Sequence, residues 1–198
     1  MSESRCPRFA RVWSFIITIG ALLSTPGMAS AKTAPFYITA DVTLTAAGTP
    51  VQATIPLGSY IDVASKQAVA ILEVDYGTVL ASNFTANLGG NCVVDYQTTD
   101  INHAALVNPS DVSIISRGTL LYENATPIQA TNMNHLYPDS FGTLEEARMV
   151  VNDDIFFLAQ TSNVAGGDQL CTIRVKAQVV KLSEKDFMAL ALTSVASA

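Results

Sequence analysis

Two histidines, three cysteines and a few paired acids are the residues of this 198-residue sequence whose types could do chemistry. His103 lies three positions after Asp100, and His135 lies four before Asp139. A zinc site or a nucleophile–base pair needs more convergence than that, and neither H-E-x-x-H nor G-x-S-x-G occurs. Both histidines read as surface loop residues. Cys92 and Cys171 fall inside strand-like runs rather than at helix starts, and there is no C-x-x-C, so thiol catalysis is not expected. Glu145-Glu146 and Asn152-Asp153-Asp154 offer oxygen donors of the kind calcium takes, yet adjacent acids in turns ordinarily face water. Gly89-Gly90 and Gly166-Gly167 fit hairpin turns better than phosphate loops. Asn83-Phe84-Thr85 and Asn124-Ala125-Thr126 have glycosylation spacing, which matters in a eukaryotic host. No metal and no cofactor is expected, and a binding or assembly role is favoured over an enzyme.

The composition agrees with a packed domain. Hydrophobic residues make up 49% and charged residues 14%, and mean hydropathy is +0.31. Disordered chains are hydrophobe-poor and charge-rich, so disorder is excluded as the main description. One ordinary domain fits the length, and two would not fit comfortably. A net charge of −6 gives no strong nucleic-acid signal.

Residues 1–31 differ from the remainder. Arg5, Arg8 and Arg11 form a basic region, an apolar run spans residues 12–23, and Ala29-Ser30-Ala31 is an A-x-A triplet. That order is a secretory signal peptide, with cleavage expected after Ala31. The run is too short to cross a bilayer as a helix, which needs about 20 apolar residues. If it is retained, residues 12–23 are the part that could meet a membrane, or the whole segment is an N-terminal arm. Residues 32–198 keep eight of the 11 basic residues and 16 of the 17 acids, for a net charge of −8.

Strand signals dominate the rest. Phe36, Ile38, Ala40, Val42 and Leu44 alternate with Tyr37, Thr39, Asp41, Thr43 and Thr45, a clean two-residue period. Further strands are expected at Val51–Ile55, Ser59–Val63, Ala68–Tyr76, Thr78–Leu88, Asn91–Thr98, Val112–Glu123, Ala147–Val151, Ile155–Thr161 and Leu170–Leu182. Residues 124–144, with Pro127 and Pro138, read as irregular. Such short strands without an intervening helix indicate an all-β, antiparallel β-sandwich of about eight strands, most simply a jelly roll, over residues 32–182.

The phase of two of these strands puts Cys92 with Val94 and Tyr96, and Cys171 with Ile173 and Val175. Both thiols therefore point to the apolar side. They are candidates for an inter-sheet disulfide in an exported chain, and equally fit two separate core cysteines.

Residues 183–198 form a C-terminal tail. Ser183-Glu184-Lys185-Asp186 resembles a loose capping box ahead of an apolar helical stretch. So broad an apolar surface wants a partner, either its own sandwich or a neighbouring subunit. Phe187, Met188, Leu190 and Leu192 are the candidate subunit contacts, with Phe36 and Ile38 added if the first strand is exchanged. On that reading Phe187→Asp should leave the monomer folded and block assembly.

Two stretches carry a family resemblance. Phe36-Tyr37-Ile38-Thr39-Ala40-Asp41-Val42-Thr43-Leu44-Thr45 leads into the segment Ile61 to Tyr76, and Asp154-Ile155-Phe156-Phe157-Leu158-Ala159 precedes the long final strand and Phe187-Met188. Together they resemble small single jelly-roll capsid-like proteins of DNA viruses, over about a third of the chain. The resemblance implies an eight-stranded jelly roll that tiles with copies of itself into a virion shell, through sheet edges and the terminal tail. A cleavable leader and a basic arm of three arginines depart from that family. The competing expectation is an exported bacterial or archaeal β-sandwich, a fibre subunit or periplasmic binding module, in which the strand at Phe36–Thr45 could join a neighbour's sheet.

Overall fold

The computed structural model describes residues 29–80, 91–125, 128–135, 142–164 and 167–196. The expected leader lies outside them except for Ala29-Ser30-Ala31, as does the sequon at Asn83. The described strands are β1 (Ser30–Ala31), β2 (Phe36–Leu44), β3 (Val51–Pro56), β4 (Gln67–Leu80), β5 (Cys92–Thr99), β6 (Ile114–Ala125), β7 (Ile128–His135), β8 (Arg148–Val150), β9 (Asp154–Thr161) and β10 (Gln169–Lys181). A helix, α1 (Glu184–Ala196), follows.

The strands form two antiparallel five-stranded sheets. In the first, β10 pairs on one side with β4, which pairs in turn with β8. Its other side takes β2 along Gln169–Ala177 and β1 at Val180 and Lys181. The second sheet runs β3-β9-β5-β6-β7. Four long-range pairs organise the whole: β2 with β10, β3 with β9, β4 with β8, and β5 with β6. A chain folded back on itself in that order and rolled into two facing sheets is a jelly roll, so the expected all-β sandwich is the architecture found.

Alternation explains the faces. Along β10, Cys171, Ile173, Val175, Ala177 and Val179 are buried, while Thr172, Arg174, Lys176 and Gln178 are not. Strand β4 begins in one phase and ends in the other. Val69 and Ile71 face the core, then Val74 and Tyr76 do, because the register with β10 shifts between Lys176 and Ala177. One extra residue in a bulge turns every later side chain to the opposite face. The main core lies between the sheets, with Leu44, Ile55, Ile71, Tyr96, Phe157 and Ile173 inaccessible or nearly so.

A smaller core sits on the outer face of the β10–β4–β8 sheet. It gathers Ala68, Ala70, Ala147, Val180, Leu182 and Phe187. The alanines on β4 leave room for α1 to approach. Ser183 caps that helix: Asp186 N donates to Ser183 Oγ over 3.2 Å, and the hydroxyl donates to Asp186 Oδ2 over 2.6 Å. This satisfies one of the helix's unpaired amides, and the acids Glu184 and Asp186 in the first turn suit its positive end.

Three expectations are corrected. Ser59–Val63 is not a strand but part of a run of turns, because Asp62 Oδ1 accepts from Ala64 N and Lys66 takes a left-handed φ of 58°. Only the isolated bridge Asp62–Gln67 remains there. Residues 128–135, read as irregular, form β7 against β6, starting directly after Pro127. Ala68–Tyr76 and the start of Thr78–Leu88 form one strand, β4, because Gly77 sits inside a continuous ladder opposite Thr172.

Candidate functional site

The residues singled out as subunit contacts fall into two groups. Phe36 and Ile38 lie on β2, half-buried and packed against the main core. Strand β2 is the outer strand of its sheet: β10 pairs with one side, and no described strand pairs with the other. The Phe36 ring lies 4.8 Å from that of Tyr60, tilted by 30°, and Tyr60 is 37% exposed. Beside Ile38 and Thr39 an open cleft of about 680 Å³ is lined also by Ser59, Tyr60, Asp153 and Asp154. The acids Asp153 and Asp154 thus share a cleft with the start of β2. Among the described residues no three ionisable or thiol side chains converge as metal ligands.

The tail residues occupy the outer face of that sheet. Phe187 is only 5% exposed, buried against the chain's own Ala68, Ala70 and Val180, and Leu190 packs beside it. Met188 and Leu192 are 55% and 66% exposed. Helical geometry separates them, since residues one apart cannot share a face. Met188 and Leu192, four apart, are free to meet a neighbour; Phe187 is already used.

Cys92 and Cys171 are buried, as strand phase indicated, and both are free thiols. They belong to one core cluster but to different sheets, so any bridge between them would tie the sandwich together. Burial pushes the Cys92 thiol up, and raises that of Cys171 to about 11. Thr78 Oγ1 lies 3.3 Å from Cys171 Sγ. Neither thiol has the depressed pKa that nucleophilic cysteines require.

Between the sheets lies a group that spacing did not single out. Tyr76 in β4 hydrogen-bonds Thr98 in β5 at 2.8 Å, and Tyr96 in β5 hydrogen-bonds Thr78 in β4. The signal was present as Tyr-x-Thr at Tyr76 and again at Tyr96, a pattern that Tyr37 also starts. Burial raises the hydroxyl of Tyr76 to about 12 and that of Tyr96 further still.

A second missed group closes one end of the sandwich. Arg148 on β8 donates to Asp100 Oδ2 over 3.1 Å and to Val112 O over 2.8 Å. Asn152 Nδ2 donates to Asp100 O over 2.6 Å. Asp100 is 9% exposed and its Oδ1 lacks a partner among the described residues. Burial raises its carboxyl above the ordinary value although Arg148 pulls it down. His103, read as a surface residue, is half-buried here, with Nε2 2.9 Å from Ser113 Oγ. That hydroxyl donates to Asp111 Oδ1 over 2.7 Å, so it accepts from His103, and the imidazole cannot act as its base. His-Ser-Asp in this order is a loop clasp, not a nucleophile. His135 ends β7 opposite Gly118 rather than standing in a loop.

No described helix is long and apolar enough to cross a membrane; residues 12–23 lie outside the described part. No family model and no curated protein matches the chain. Among solved structures it is similar to VP1 of Trichodysplasia spinulosa-associated polyomavirus, in a complex with sialylated precision glycooligomers. The identity is 8% and the TM-score 0.39, over 79% of this chain and 100% of that one. It is also similar to Desmodium yellow mottle tymovirus, at 8% identity and a TM-score of 0.34, over 84% of this chain and 97% of that one.

Proposed function

We propose that this chain is a non-enzymatic structural subunit that assembles with copies of itself into a closed shell of the virion-capsid type. The observation that carries the reading is the jelly-roll pairing of β2 with β10, β3 with β9, β4 with β8 and β5 with β6. It makes a block whose two sheets end at outer strands, β2 and β3, available for lateral contact. The place of β1 supports a retained N-terminal segment. Ser30 and Ala31 pair with Lys181 and Val180, so cleavage after Ala31 would strip a strand from the sheet. With residues 32–198 at −8, the body is not the part that would neutralise a genome.

The test is mass spectrometry with particle sizing and electron microscopy on the full chain purified without reductant. Closed particles built from chains starting at Met1 are the expected result. Monomers or linear polymers starting at Lys32 would overturn it in favour of an exported fibre subunit or periplasmic binding module.

A further inference from the structure

Strand β2 is nine residues long, and its register with β10 is unbroken from Phe36 to Leu44. Exposed strand edges invite pairing with another chain, and proteins blunt them with lysines, prolines, bulges or shortness. The other outer strands carry such devices: β8 has three residues, and the six of β3 end in Pro56. In β7 the residues Asn132 and Asn134 are poor strand formers. The sequence Phe-Tyr-Ile-Thr-Ala-Asp-Val-Thr-Leu of β2 has no lysine, arginine, proline or glycine. Its inward residues Phe36, Ile38 and Ala40 are half-buried, whereas Val42 and Leu44 are covered. The open cleft lies against Ile38 and Thr39.

We infer that the partner of this edge is β2 of a second copy, paired antiparallel about a two-fold axis at Ala40. This rests on the self-assembly reading and names its surface. A two-fold at the middle of the strand aligns all nine residues. On the core side it sets Phe36 against Leu44, Ile38 against Val42, and Ala40 against itself, so every pair is apolar. On the outer side it sets Tyr37 against Thr43 and Thr39 against Asp41, so no charge meets a like charge. Arg174 lies beside Thr39 in β10 and already holds Asp75 at 2.8 Å. In the joined sheet the neighbour's Asp41 would extend that row to acid, arginine, threonine, acid. Isologous pairing of this kind merges two sheets into one and closes without leaving a free copy of the edge.

Two substitutions of opposite charge test the register. Thr39→Asp places an acid against the neighbour's Asp41 twice, yet stands beside Arg174 within its own chain. It should weaken association about tenfold while leaving the thermal melt of the subunit unchanged. Thr39→Lys should keep or strengthen association. As a separate check, Ala40→Cys in a Cys171→Ala background, exposed to oxidised glutathione as electron acceptor, should give a covalent dimer mapped to position 40. If the wild-type chain assembles while the cysteine variant stays uncrosslinked, or while Thr39→Asp assembles as wild type, the β2 contact is wrong and self-assembly stands. If the wild-type chain is monomeric throughout, both readings fall.

Discussion

Tyr76 and Tyr96 stack face to face, 5.1 Å apart and 9° from parallel, each reaching into the other's sheet for a threonine hydroxyl. Tyr76 and Thr78 belong to β4, and Tyr96 and Thr98 to β5, so the exchange is reciprocal. Phe157 extends the stack at 5.9 Å. Hydrophobic packing alone would let two sheets slide; paired hydroxyls fix where they meet.

Tyr76→Phe should destabilise the fold by about 1–2 kcal/mol, because it strands the buried Thr98 hydroxyl, and Tyr96→Phe by less, because Thr78 keeps Cys171 Sγ as a partner. The double variant should cost less than the sum, since the rings share one contact. Urea titration of the four chains measures this.

Alkali should act through the same rings. In the fold Tyr76 keeps its proton up to about 12, while in the unfolded chain it ionises near 10. Above pH 10 the unfolded state loses a proton that the folded state retains, so stability falls as pH climbs from 10 towards 12. Tyr76→Phe should flatten that decline, read as unfolding free energy against pH.

At the end of the sandwich, Asp100→Ala should cost about 1–3 kcal/mol by removing a partner of Arg148. The pH response has the opposite sense to that of a stabilising carboxylate. Burial raises the folded pKa of Asp100, so its charge is a penalty at neutral pH that is relieved as pH falls towards the ordinary carboxylate value. Relative to Asp100→Asn, the wild-type chain should therefore gain stability on acidification. A constant difference between the two would contradict the burial of the charge.

For the tail, Phe187→Ala should cost about 3 kcal/mol, and Phe187→Asp should detach α1 from the sheet. This replaces the expectation of a folded, assembly-blocked Phe187→Asp monomer, because the ring packs on its own chain. Met188→Ala and Leu192→Ala should change stability by less than about 0.5 kcal/mol. Thermal melts separate the two classes.

In a Cys6→Ala chain, Cys92 and Cys171 should be silent towards a thiol reagent in the native, reduced state, since burial raises both. Denaturant should expose them. If oxidation links Cys92 to Cys171, the chain becomes two hydrogens lighter, and closing that loop would stabilise it by up to about 4.5 kcal/mol. Intact-mass measurement distinguishes the two states.

How much of this was legible beforehand depended on the kind of interaction. Strands β2 and β10 could be read almost to the residue, because one buried face imposes strict alternation. Strand β7 could not, because Pro127 and a run of Asn, Gln and Thr look like a loop until β6 supplies a ladder. The segment Ser59–Val63 looked apolar enough for a strand, yet a side-chain acceptor at Asp62 redirected the backbone. Burial of Phe187 was undecidable from periodicity, which says that a face is covered but not by what. The Tyr-x-Thr exchange and the Asp100–Arg148 pair join residues 18, 22 and 48 apart, a relation that appears only after the sheets are stacked.

Strand β10 is the middle of its sheet, bonded to β4 on one side and to β2 and β1 on the other. It is also the last of the described strands in chain order. During translation, β1, β2 and β4 leave the ribosome before β10, the strand they all pair with, so most of that sheet has nothing to form around until β10 emerges. The topology is rich in distant contacts and slow to nucleate. Its first strand edge stays without a sheet to belong to for most of that time. A nascent chain is thereby kept from offering a finished lateral surface to its neighbours before β10 has emerged.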